Sequence, residues 1–139
     1  MKTARIIAIL ALVLALLLAG CDGATFVITG TPNKTTIQVN DASDGAYGES
    51  SPISVGKGRV AVVESALEKG ELQIDFAEAT IFHYNDDTEE IIIGDVLARV
   101  KVGGGDKATV PLEKGDYVLQ VTTVGSTGGK VTVSLEKKQ

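Results

Sequence analysis

Between Gly70 and Phe76 the chain reads Gly-Glu-Leu-Gln-Ile-Asp-Phe, with Leu72, Ile74 and Phe76 on every second position. Successive side chains of an extended strand point to opposite faces, whereas a helix returns to the same face after three or four residues. This run has one apolar face as a strand and none as a helix. The same period recurs near the end, where Val131, Val133 and Leu135 alternate with Lys130, Thr132, Ser134 and Glu136. Segments of this kind hide their apolar face by laying sheet against sheet.

Other short runs extend the pattern. Thr25 to Thr29 is β-branched and bounded by Gly30 and Pro32, and Lys34 to Asn40 alternates polar with apolar. Arg59 to Glu64, Thr80 to Tyr84, Glu90 to Ile93, Asp95 to Val102, 107–112, 116–124 and 130–136 are further strand segments, with turns expected at Ser65 to Gly70 and at Gly103-Gly104-Gly105-Asp106. Residues 40–52, NDASDGAYGESSP, are rich in Asp, Ser and Gly and are expected to form a flexible loop that the sandwich does not require. Short strands with glycine turns between them predict an all-β fold, a small antiparallel sandwich. The stretch Pro111-Leu112-Glu113-Lys114-Gly115-Asp116-Tyr117-Val118-Leu119-Gln120-Val121 resembles the last hairpin of small jelly-roll domains, including the bacterial pre-peptidase C-terminal type, where a turn glycine precedes an aromatic residue that opens an alternating strand. That likeness implies a jelly-roll-like arrangement and no particular activity.

The first residues follow a different rule. Lys2 and Arg5 precede an uncharged apolar run from Ile6 to Leu18, shorter than the ~20 residues a membrane-spanning helix needs. A basic start, a short apolar core and small residues after it form a secretory signal peptide. The run ends in Leu18-Ala19-Gly20-Cys21, with the only cysteine of the chain. This stretch resembles the lipobox of bacterial lipoproteins. The resemblance implies that the Cys21 thiol receives a diacylglyceryl group, that cleavage falls just before it, and that the new amino terminus is acylated in turn. Residues 1–20 are then the signal peptide, 21–24 the lipidated cysteine and a very short tether, and 25–139 the sandwich. One acyl chain holds a protein to a bilayer only marginally, while each buried CH₂ adds ~0.8 kcal/mol, so two or three chains anchor it firmly. Asp22, next to the cysteine, resembles an inner-membrane retention signal of envelopes with two membranes.

Cleavage before Cys21 leaves 119 residues (139 less the 20 of the leader), which is one domain's worth. Removing Lys2 and Arg5 from the 13 basic residues, against 18 acidic ones that all lie beyond the leader, gives a formal charge of −7. That balance disfavours nucleic acid as a partner and any electrostatic grip on anionic lipid. A lone cysteine forms no disulfide within the chain, so stability must come from core packing.

Several stretches carry chemistry in other proteins. Gly56-Lys57-Gly58-Arg59-Val60-Ala61 fits the relaxed dinucleotide pattern G-x-G-x-x-A, with Asp75 placed for a ribose and a helix then required over Val60 to Leu67; the competing expectation is a glycine-rich turn. Asp41, Asp44 and Glu49 are weak candidates for an oxygen-rich cation site, although an EF-hand alignment on Gly45 puts Ala42 and Ser51 where ligands belong. His83, the single histidine, lies near Asp86, Asp87, Glu89 and Glu90, so an acid-base pair with Asp86 or Asp87 is conceivable as an enzyme of unknown reaction. One histidine excludes H-E-x-x-H metalloproteases, and no G-x-S-x-G is present. Without tryptophan, and with Tyr47, Tyr84 and Tyr117 alone, the chain is poorly equipped for a sugar platform. The expectation is a non-enzymatic lipoprotein of the cell membrane, extracytoplasmic, without cofactor, holding lipid through Cys21 and binding an envelope partner or serving envelope structure. The alternative is an ion- or small-ligand-binding module on the loop from Asn40 to Ser51.

Overall fold

The computed structural model describes residues 25–85 and 87–138. Residues 1–24, on which the expected signal peptide, Cys21 and Asp22 fall, lie outside the described residues, as do Asp86 and Gln139. Eight strands follow in order: β1 (Phe26–Thr31), β2 (Lys34–Ala42), β3 (Tyr47–Glu49), β4 (Ile53–Val55), β5 (Arg59–Asn85), β6 (Thr88–Gly103), β7 (Lys107–Pro111) and β8 (Gly115–Lys137). All pairings are antiparallel, and no helix occurs among the described residues.

Two very long strands organise the molecule. β5 has 27 residues and β8 has 23. At ~3.3 Å per residue a straight β5 would reach ~90 Å, several times the ~13 Å radius of gyration expected for a domain near this size. Both strands therefore fold over together. Arg59 to Leu67 of β5 pairs with Lys137 to Gly129 of β8, the register then shifts, and Glu71 to Glu78 pairs with Val124 to Tyr117. The two halves belong to opposite layers. One layer runs β1, β2, the second half of β8, the first half of β5, then β7. The other runs β3 and β4, the first half of β8, the second half of β5, then β6. One curled antiparallel sheet thus closes on itself as a small sandwich, the all-β class expected from the alternation.

The bend is written in glycine. Gly129 sits at φ 127°, and a Cβ there would stand 2.6 Å from the Leu67 Cα. Gly70, at φ 73°, faces the Ser126 carbonyl and Thr127 too closely for any side chain. The backbones cross where only glycine fits. Thr127, fully buried at the same corner, has its hydroxyl 2.9 Å from the Gly125 carbonyl and 3.2 Å from that of Glu71, so the turn is tied from inside.

The core lies between the layers. Ile37, Val39, Ala61, Val63, Val131 and Val133 come from the first, and Leu72, Ile74, Phe76, Leu119, Val121 and Val102 from the second. Each is the apolar half of an alternating run. Fully burying such a side chain contributes ~1.5–3 kcal/mol, which is what a chain without disulfides must rely on.

Three expectations are corrected. The segment Ser65 to Gly70 is no turn, because β5 continues through it. Likewise 116–124 and 130–136 are one strand, β8, whose glycines mark its bend. Residues 40–52 are not a flexible loop dispensable to the sandwich: β2 runs to Ala42, and Tyr47, Gly48 and Glu49 pair with Thr122, Val121 and Gln120. Gly56 to Arg59 forms a turn, with the Arg59 amide donating to the Gly56 carbonyl (3.3 Å), and Val60 to Leu67 is strand. The helix that a dinucleotide site requires is absent there.

Candidate functional site

Asp41, Asp44 and Glu49 each find a separate partner. Asp41, at φ 49°, ion-pairs with Lys69 across 2.5 Å, and this cation holds its carboxyl below the usual range. Asp44 Oδ1 accepts from the Gly125 amide at 2.7 Å, which fastens the segment to the bend of β8. Glu49 Oε2 accepts from the Tyr47 hydroxyl at 2.9 Å and from Gln120 Nε2 at 3.2 Å. The structure distributes these carboxylates over three anchoring contacts and does not gather them. Among the described residues no group of three His, Cys, Asp or Glu side chains is placed to hold a metal ion.

Backbone contacts reinforce the same segment. The Gly45 amide donates to the Thr123 carbonyl and the Thr123 amide to the Ala46 carbonyl, both at 2.9 Å, while Ser50 exchanges bonds with Leu119 through its amide and its hydroxyl. Residues 43–50 therefore complete the edge of the second layer.

Asp75, which the dinucleotide pattern would place at a ribose, lies on the outer face of that layer. Arg99 donates Nε to Oδ1 (2.7 Å) and Nη2 to Oδ2 (3.1 Å), a bidentate clamp across β5 and β6. In register with it stand Gln120 and Glu49, so one transverse row of four polar side chains crosses four strands. Each charge in the row has a neighbour that satisfies it.

The second half of β5 continues past the start of β8. Glu78 is the last residue of β5 paired with β8, yet β5 and β6 stay paired out to Asn85 and Thr88. Residues 79–85 and 88–93 thus form a two-stranded arm beyond the sandwich. Of the eight large apolar side chains exposed among the described residues, Phe82, Tyr84, Ile92, Ile93, Val96 and Leu97 lie on this arm or at its base. His83 is here too, opposite Glu89 in register, with Nδ1 2.9 Å from Glu89 Oε2. The Glu89 side chain is only 9% exposed. Among the described residues the imidazole thus pairs with Glu89, while the Asp87 amide donates to Asn85 Oδ1 within the hairpin turn. Tyr84 donates to Glu90 at 2.8 Å, and that carboxylate raises the pKa of the phenol. Cross-strand pairing explains both contacts as sheet chemistry.

The arm is what the sequence reasoning missed. Its signal was Glu89-Glu90-Ile91-Ile92-Ile93, an apolar run preceded by charge, whose pattern gives one more strand segment and no sign that it projects beyond the rest. No family model matches the chain, and no curated protein matches it.

Proposed function

We propose that the protein is a lipoprotein held on the extracytoplasmic face of a cell membrane through acylated Cys21, with a non-catalytic binding or envelope-structural role. The observation that carries this reading is Leu18-Ala19-Gly20-Cys21 at the end of a basic and apolar leader. A lipid anchor requires a compact domain that folds without its cysteine, and the core of valine, isoleucine, leucine and Phe76 supplies one.

The strand register supports an arrangement for such a domain. Phe26, five residues after Cys21, is opposite Val39, which is opposite Gly129 at the bend. The arm leaves the second layer at the other end. A tether of five residues spans at most ~17 Å, and the length of β5 from Glu71 to Asn85 is roughly 45 Å. With the bend nearest the bilayer, the arm stands farthest from it, where a rigid support carries exposed side chains to a partner.

Fractionation of the host tests the anchor. The protein is expected to sediment with membranes and to partition into detergent, while Cys21→Ala or Cys21→Ser is expected to lose both properties and keep its leader. Equal partitioning of the substituted and unsubstituted chains would overturn the proposal.

A further inference from the structure

The chain has three asparagines, and two of them use their carboxamides within the fold. Asn40 Oδ1 accepts from Gln38 Nε2 at 3.2 Å, and Asn85 Oδ1 accepts from the Asp87 amide at 2.8 Å. Asn33 differs. With Pro32 it makes the two-residue turn between β1 and β2, where Thr31 stands opposite Lys34. Asparagine suits turns because its side chain bonds a nearby backbone group or because it tolerates a positive φ. Neither reason holds here. Asp41 is the one non-glycine residue with positive φ among those described, and the Asn33 carboxamide has no hydrogen-bond partner among them. Its backbone carbonyl accepts from the Leu135 amide at 2.8 Å, so the main chain fixes the turn while the side chain stands exposed between exposed Pro32 and Lys34. Asn33 is also the one asparagine with a hydroxyl two residues on. Asn33-Lys34-Thr35 has the N-x-[ST] form of a glycosylation acceptor, whereas Asn40 leads to Ala42 and Asn85 to Asp87.

We infer that Asn33 is an N-glycosylation site, modified as the chain crosses the membrane; the inference rests on the reading of the protein as exported. The donor is an oligosaccharide joined through its anomeric carbon to a lipid-borne phosphate, and a membrane transferase catalyses the step. Asn33 Nδ2 bonds to the anomeric carbon, the C–O bond to the phosphate breaks with its electron pair going to the phosphate oxygen, and one Nδ2 proton ends on that phosphate. Thr35 sets the timing. In the folded domain it is 5% exposed, in register between Gly30 of β1 and Val133 of β8. The hydroxyl that the motif requires is therefore within reach only before β2 joins β8. The folded domain then accommodates the product. β1 is the last strand of its layer, and Lys34 is opposite Ser134, five residues along β8 from Gly129. The turn thus lies ~17 Å from the bend, so with the bend nearest the bilayer the sugar projects away from the lipid.

Peptide mapping by mass spectrometry of the full chain from its host membranes tests the site. The peptide that contains Asn33 is expected to be heavier by whole sugar residues. Asn33→Gln is expected to lose that mass and keep the acyl mass on Cys21. Thr35→Val, which keeps the buried shape and removes the hydroxyl, is expected to lose the sugar although Asn33 remains, and Thr35→Ser to retain it. An unmodified Asn33 in a chain that has lost its leader and carries an acylated Cys21 would overturn the inference and leave the anchor standing. An unmodified Asn33 in a chain that keeps its leader would overturn both. Sugar retained in full by Thr35→Val would overturn the assignment of Asn33-Lys34-Thr35 as the acceptor motif.

Discussion

Phe76 and Phe82 are six residues apart on one strand, and the fold treats them oppositely. Phe76 is fully buried between the layers, whereas Phe82 is 43% exposed on the arm. Phe76→Ala is expected to cost ~3–5 kcal/mol in urea unfolding, and Phe82→Ala less than ~1 kcal/mol. The alternation around Phe76 announced its burial. Nothing local to Phe82 tells it from a core residue, because its exposure depends on where β8 begins. Tyr47 makes a second test at this scale. Desolvation of its phenol, then the hydrogen bond to Glu49 with the charges of Glu49 and Asp75, push its pKa up to about 12. An unfolded tyrosine titrates near ~10. The folded state thus favours the neutral phenol, so this contribution to stability is complete below pH ~10 and is lost as pH rises towards about 12. In a chain with three tyrosines and no tryptophan, the tyrosinate absorbance reports it cleanly. Tyr47→Phe is expected to remove the latest-titrating phenol and flatten the alkaline loss of stability.

The contrast between residues 43–50 and the arm belongs to the scale of elements. The first segment reads as a loop and behaves as an edge, with three strand pairs and the contacts of Asp44, Ser50 and Thr123 binding it to β8. At ~1 kcal/mol net for each hydrogen bond, shortening it is expected to remove ~2 kcal/mol or more of stability. Replacing residues 81–92 with a two-residue turn removes only the overhang and is expected to leave the thermal midpoint within a few degrees. Equal losses from the two deletions would contradict the assignment. Strand identity was legible here wherever one face is apolar, as in Lys34 to Asn40 and Gly70 to Phe76. Strand continuity was not. Ser65 to Gly70 and Gly125 to Gly129 carry the residues of turns, and only the meeting of β5 with β8 decides that these residues bend two paired strands together. The candidate site fared similarly: Asp41, Asp44 and Glu49 are close in sequence, but Lys69, Gly125 and Tyr47 with Gln120 separate their roles.

The whole molecule combines a basic and apolar N-terminal stretch, followed by the only cysteine of the sequence, with a domain that makes no use of a thiol. Its two layers share β5 and β8, so their bend couples every strand pair, and loss of the bend is expected to unfold both layers in one transition. Gly129→Ala forces a Cβ against Leu67 and is expected to lower stability by more than ~2 kcal/mol while keeping a single cooperative step. A first transition confined to one layer would show that the sandwich is two units. The bend also sets the polarity of the molecule, placing the start of β1 at one end and the arm at the other. That polarity has meaning only if the chain is tethered where the lipobox indicates. Intact-mass analysis of the protein extracted from its host membranes measures this most directly. The expected result is a chain beginning at Cys21, lacking residues 1–20 and heavier by a diacylglyceryl group, with or without a further amino-terminal acyl chain. A chain that retains its leader and carries an unmodified Cys21 thiol would contradict it.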